Sequence, residues 1–178
     1  MRGGISPYGH TVTAIETTAP PHETVWAITT SLAAARALHV AADLGVADQI
    51  GPEPVPVERL AERCGVDAGA LDRVLRLLVA HGVFEHDGGG YRHSDASQLL
   101  RENHPHSMRA FARMIGLPVI WDSFGALASS VRTGAPAIEQ VTPGGLWPYL
   151  QTHPEEARTF DAAMAAKARA DVAAVIGA

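Results

Sequence analysis

The chain has 178 residues, 47% of them hydrophobic and 19% charged, and its 14 Lys and Arg against 19 Asp and Glu leave a formal net charge of −5. That length buries a real core without disulfide staples. The composition excludes an extended disordered chain, and 17 Gly without a three-residue repeat exclude collagen. The lone cysteine, Cys64, has no partner for an internal disulfide, and Met1-Arg2-Gly3-Gly4 lacks the apolar run of a signal peptide. Uninterrupted apolar runs such as Leu77 to Ala80 are far shorter than the roughly 20 residues that cross a bilayer. These features predict a cytoplasmic protein with no membrane partner.

Residues 1–21 mix Gly, Pro, Thr and Ser without a sustained period and read as a flexible arm. From about His22, the residues Val25, Ile28, Leu32, Ala35, Leu38 and Ala42 recur at steps of three or four, which predicts a helix closed by Gly45. Its Ala33-Ala34-Ala35 run lets another backbone approach closely, as in a bundle or a dimer core. Val57 to Gly65 reads as a two-turn helix begun after Pro54 and Pro56. A second helix follows, capped by Asp67, striped with Leu71, Val74, Leu75 and Leu78, and closed at Gly82. Val83 to His86 and Tyr91 to His93 are β-prone runs joined by Asp87-Gly88-Gly89-Gly90, whose glycines suit a tight turn. Helix, turn, helix and a two-stranded wing make a winged-helix unit.

The last third is helical again. A short segment around Met108, Phe111, Ala112 and Ile115 precedes a longer helix after Pro118, carrying Ile120, Phe124, Leu127, Ala128 and Val131 and ending at Gly134 and Pro136. Residues 135–152 read as a Pro- and Gly-rich loop pinned by Trp147 and Tyr149. Thr152 and Glu155 have the spacing of a capping box for a final helix bearing Phe160, Met164, Val172 and Val175.

A winged helix raises the question of DNA. Between Pro56 and His93, however, five Arg face six acidic residues, and that balance supplies no phosphate-neutralising surplus. The better reading is a packing module without a nucleic-acid partner. His104-x-His106 lacks the Cys or carboxylate that would complete a zinc-type ligand set, so no metal is expected. Cys64 sits near a helix C-terminus, where the dipole disfavours a thiolate. Gly88-Gly89-Gly90 is not followed by the Lys-Ser/Thr pair of a phosphate loop, and no Gly-x-Gly-x-x-Gly motif appears. Among the large side chains, Trp121, Trp147, Phe160 and Met164 read either as core or as one wall of a pocket for a flat aromatic ligand.

Four segments carry a resemblance: Leu38-His39-Val40-Ala41-Ala42-Asp43-Leu44-Gly45-Val46-Ala47-Asp48, Val57-Glu58-Arg59-Leu60-Ala61, Leu75-Arg76-Leu77-Leu78-Val79-Ala80-His81-Gly82-Val83-Phe84, and Phe160-Asp161-Ala162-Ala163-Met164. In this order they resemble the N-terminal region of the S-adenosylmethionine-dependent O-methyltransferases of plant phenolic and actinobacterial polyketide pathways, over about residues 22–178. The resemblance implies a mainly α fold, a helical dimerisation domain with an embedded winged-helix unit that does not bind DNA. It further implies a homodimer and an aromatic small-molecule acceptor. A Rossmann-like domain beyond residue 178 would bind S-adenosylmethionine and carry the catalytic base, so these residues alone would be an inactive fragment. By the same resemblance Phe160 and Met164 match acceptor-pocket positions, and Trp121 and Trp147 fall near them. A winged-helix transcription regulator and a methyltransferase-like enzyme with a non-methylating reaction stand as the alternatives.

Overall fold

A computed structural model describes residues 20–176, so the expected arm over residues 1–21 lies outside the described residues except for its last two prolines. The chain forms two compact units, one up to Leu32 and one from Ala33 onward. Helix α1 (Pro21–Asp43) opens in the first. Proline at its first position needs no N–H there, and the amides of Glu23 and Thr24 both donate to the Pro20 carbonyl. Thr29, Thr30 and Ser31 turn their hydroxyls back onto the carbonyls of Val25, Trp26 and Ile28. The apolar face expected at Val25, Ile28 and Leu32 is present but uncovered, with Val25 66%, Trp26 72%, Ile28 70% and Leu32 62% exposed. At 23 residues, with mean hydropathy 1.2 over 18 of them, α1 is also long and apolar enough to cross a membrane. Uninterrupted apolar runs alone did not register this.

The second unit begins with the remaining turns of α1, whose Ala37, Ala41 and Ala42 are buried. Gly45, at φ +67°, ends the helix, and a single 3-10 turn over Val46–Gln49 follows. Helices α2 (Val57–Cys64) and α3 (Ala68–Ala80) come next, then strands β1 (Phe84–His86) and β2 (Tyr91–His93). Asp67 caps α3 by accepting from the Ala70 amide at 2.7 Å, as the sequence predicted. The strands pair antiparallel with Phe84 opposite His93 and Glu85 opposite Arg92. Val55 bridges the other edge of β2 by exchanging both backbone hydrogen bonds with Tyr91 at 2.9 Å. Gly90, at φ +144°, permits this approach, because a Cβ there would overlap the Val55 carbonyl. Leu60, Leu75, Leu78, Phe84 and Tyr91 fill the core of this winged-helix module. The Tyr91 hydroxyl donates to the Asp72 carboxylate at 2.7 Å. That bond, chiefly, holds the Asp72 carboxyl below its ordinary range.

Ahead of α5, two short elements were not foreseen: the 3-10 turn and helix α4 (Asp95–Gln98), which Ser94 and Ser97 close as a capping box. Helix α5 (Arg109–Ile115) appears where expected. The long helix predicted after Pro118 is instead α6 (Pro118–Gly125) and α7 (Leu127–Thr133). Glycine weakens a helix by about 1 kcal/mol relative to alanine. At Gly125 nothing lies within 4 Å of a Cβ position to offset that loss by packing, and the ladder reorganises at Ala126.

The expected loop over 135–152 holds two short helices, α8 (Ala137–Val141) and α9 (Leu146–Thr152). Its prolines lie where helices tolerate them, Pro136 just before α8 and Pro148 in the first turn of α9. The Thr152 capping box does not form. Thr152 ends α9 and its hydroxyl donates back to the Tyr149 carbonyl at 2.9 Å, while Pro154, which has no N–H, opens α10 (Pro154–Ile176). Helix α10 lies along α5, with Ala163 and Ala166 buried. Val175, expected on its apolar face, is described only as helix backbone.

Two outcomes follow from the core. Leu75→Ala, at a fully buried position, lowers unfolding free energy by about 2–5 kcal/mol, measured by denaturant titration. Burial, first, pushes the His93 imidazole pKa below its ordinary value, against the raising influence of the Ile50 and Ala47 backbone. Above the usual imidazole range both states are neutral and stability is flat. Below about 6.5 the unfolded chain takes up a proton that the folded chain refuses, so stability falls with acid. His93→Asn flattens that acid slope in the thermal midpoint between pH 8 and 5.5.

Candidate functional site

Of the four large side chains singled out in the sequence, two meet at the junction of α9 and α10. Trp147, in the first turn of α9, meets Phe160 edge-on, with ring centroids 5.8 Å apart and planes at 87°. Phe160 is half-buried, and Met164, one turn further along α10, is 36% exposed while the intervening Ala163 points into the core. The i, i+4 spacing places Phe160 and Met164 on one flank of α10 beside the core-facing alanines. Trp121 stands apart from this pair on α6. Its neighbour is Arg36 of α1, whose guanidinium carbon lies 4.9 Å from the indole centroid. The structure therefore joins Trp147 to Phe160 and gives Trp121 a partner that periodicity did not suggest.

Sequence reasoning missed contacts at the same α9–α10 junction and on α1. The Tyr149 hydroxyl donates to Glu156 Oε1 at 3.0 Å across the α9–α10 junction, and the Tyr149 ring stacks on His153 at 3.8 Å. Burial, first, and then the hydrogen bond to Glu156 and the charges of Glu156 and Asp122 raise the Tyr149 pKa. No periodic signal links residues seven apart across a helix break. Arg36 did carry a signal: it is the single Asp, Glu, Lys or Arg between Glu23 and Asp43.

Three open cavities lie elsewhere. One of about 320 Å³ is lined by Arg113, Leu117, Glu156 and Thr159 among others. Another of about 310 Å³ includes Glu102, Arg109, Ala166 and Arg169, and a third of about 390 Å³ runs between α2, α3 and the wing. None of the three is lined by Trp121, Trp147, Phe160 or Met164. Trp147 is 67% exposed and Met164 36%, so the α9–α10 part of the set faces outward.

The described residues do not fit the methyl donor. Gly88-Gly89-Gly90 turns between antiparallel strands instead of leading from a strand into a helix N-terminus, the geometry that cradles a nucleotide-type cofactor. Among the described residues no three His, Cys, Asp or Glu side chains gather, and His104 and His106 stand with rings 6.1 Å apart. On the winged-helix module Arg76 is paired with Asp72 at 2.7 Å and Arg92 with Glu85 at 2.8 Å.

Residues 26–103 match the family model described as the O-methyltransferase dimerisation domain. A phenazine O-methyltransferase, PhzM, of Lysobacter antibioticus is 36% identical over 144 residues, covering 80% of this chain and 42% of that protein. A 2,7-dihydroxy-5-methyl-1-naphthoate 7-O-methyltransferase of Streptomyces carzinostaticus is 36% identical over 135 residues, 75% of this chain and 41% of its own length. Among solved structures, LaPhzM superposes with a TM-score of 0.83 at 34% identity, covering 90% of this chain and 48% of that one. The O-methyltransferase NcsB1 of neocarzinostatin biosynthesis, in complex with S-adenosylmethionine and 2-hydroxy-5-methyl naphthoic acid, gives 0.67 at 32% identity, covering 85% of this chain and 46% of that one. The chain thus spans about two fifths of the length of these curated relatives, 42% and 41%. Through residues 26–103, which hold most of α1 and the winged-helix module, the chain carries the O-methyltransferase dimerisation domain, and the solved relatives extend the likeness of fold over the helices that follow.

Proposed function

We propose that this chain is the dimerisation and acceptor-orienting part of a cytoplasmic, S-adenosylmethionine-dependent O-methyltransferase that acts on an aromatic small molecule of secondary metabolism. The observation that carries the reading is the pairing of Trp147 with Phe160, one turn before Met164 on α10, in a chain whose relatives are named for flat aromatic acceptors. Apolar faces of this kind hold a ring by stacking and by the adaptable thioether, so the domain orients the acceptor hydroxyl without taking part in bond making. Trp121, on α6 and apart from that pair, presents a second aromatic face to the acceptor. A Rossmann-like domain outside these residues binds S-adenosylmethionine, which supplies the methyl group when bound, and holds the base that receives the hydroxyl proton. No metal enters this reading, and neither does nucleic acid.

The working unit is a homodimer. Val25, Trp26, Ile28 and Leu32 place a long apolar stripe in water on one helix, and burying such a stripe against a second copy is the simplest way to remove it. An obligate association of this kind buries more than about 2,000 Å².

Light scattering at micromolar concentration gives the dimer mass, and Ile28→Asp with Leu32→Asp gives monomer; a monomer from the unaltered chain would refute the pairing. Phe160→Ala and Met164→Ala, in the enzyme joined to its catalytic domain, raise the acceptor KM about tenfold with a smaller change in kcat, since they remove binding shared by ground and transition states. Titration calorimetry of residues 1–178 with S-adenosylmethionine gives no heat, and tight binding would show that the donor site lies in this chain.

A further inference from the structure

Arg36 occupies an unusual position. It lies in an alanine-rich stretch of α1, donates from Nη1 to the carbonyl of Gly116 at 3.2 Å, and lays its guanidinium over the Trp121 ring at 4.9 Å. Gly116 is itself gripped from the same helix. The His39 ring, one turn beyond Arg36, packs so closely on it that a Cβ would overlap the imidazole. The C-terminal end of α5 is therefore pinned to α1 by two side chains, and Leu117 and Pro118 lead directly from it into the α6 helix that carries Trp121. These contacts hold the guanidinium and the indole in one arrangement.

The charge of that guanidinium is not cancelled. Arg109 and Arg113 of α5 are matched with Asp48, Glu102 and Asp43, whereas among the described residues no carboxylate lies within ion-pair distance of Arg36. One of its five N–H donors is used by Gly116, and the side chain is exposed. A planar cation with free forked donors beside an aromatic face suits a flat ring that bears a carboxylate: the fork takes both carboxylate oxygens while the ring lies along the indole.

We propose that Arg36, fixed between Gly116 and Trp121, is a specificity residue that selects aromatic carboxylic acids as acceptors over their uncharged counterparts. The inference rests on the acceptor-orienting role of Trp121 given above and adds the chemical class that the site reads. Arg36 touches the acceptor's carboxylate and no reacting atom, so it sets binding and not the chemical step.

The probes are 2-hydroxy-1-naphthoate and 2-naphthol, which differ only in the carboxylate, titrated by calorimetry into the polypeptide that joins these residues to their catalytic domain. The unaltered protein binds the naphthoate at least tenfold tighter than the naphthol. Arg36→Gln brings the two affinities together by weakening the naphthoate alone, and Arg36→Lys, which keeps the charge but loses the fork, retains part of the preference. Thermal unfolding of each variant reports whether it folds. Should Arg36→Gln not fold, Arg36→Lys and the two ligands on the unaltered protein still decide the matter. Equal binding of the two ligands to the unaltered protein, or an unchanged preference in Arg36→Gln, overturns the role of Arg36 and leaves the acceptor wall standing. Binding of neither ligand removes both.

Discussion

The C-terminal turns of α1 are the anchor of the second unit. Ala37, Ala41 and Ala42 present almost no side-chain bulk, so neighbouring elements approach the helix closely and bury it. The helix end is then tied down electrostatically: Arg109 of α5 donates from Nε to the Ala42 carbonyl at 2.9 Å and pairs through Nη1 with Asp48 at 2.7 Å. A cation at this point adds a short second donor to a carbonyl otherwise reached only by the Gly45 amide at 3.3 Å, and it opposes the negative end of the helix dipole. Arg109 is only 19% exposed, so solvent screens these contacts less than those of a surface pair. Arg113, one turn along α5, repeats the theme with Asp43 at 3.0 Å.

Through that anchor the winged-helix module and the helical remainder share one frame. The 3-10 turn after Gly45 feeds Val46, Ala47 and Ile50 into the core beneath α2 and α3, while α5 carries the path on to α6 and α10. The wing's own stability comes from Tyr91, a fully buried ring that packs in the core, pairs with Val55 through its backbone and ends on Asp72. Of its five arginines, Arg76 and Arg92 pair with Asp72 and Glu85, and Arg63 donates to the Gln49 carbonyl at 2.6 Å.

Apolar side chains left in water form the second theme. Besides the α1 stripe, Phe124, Leu127 and Val131 of α6 and α7 are 60%, 55% and 79% exposed. A monomer that keeps so many large apolar residues in contact with water carries surfaces made for association. The sequence pattern marks these residues as apolar faces of helices. Periodicity cannot say whether such a face meets its own core or another molecule, because both demand the same spacing.

How much was legible depends on the range of the interaction. The winged-helix module followed from local signals: Asp67 as a cap, Gly65 and Gly82 at positive φ, and the glycine turn between two β-prone runs, each acting over a few residues. The family resemblance rests on the same contiguous segments. Where the sequence misled, competing local signals were settled by neighbours: Gly125 split a stripe of helical spacing, Pro136 and Pro148 sat at helix starts instead of breaking them, and Thr152 served the helix behind it because Pro154 began the next. The pairing of Trp147 with Phe160 was foreseen as chemistry but not as geometry. By itself the amino-acid order determined the helix-and-wing succession, the apolar faces and which large aromatic side chains the later helices carry. Only the tertiary structure decided that Trp121 lies under Arg36 and that Tyr149 bonds Glu156, because contacts between residues 85 or 7 positions apart arise from packing and leave no period in the chain.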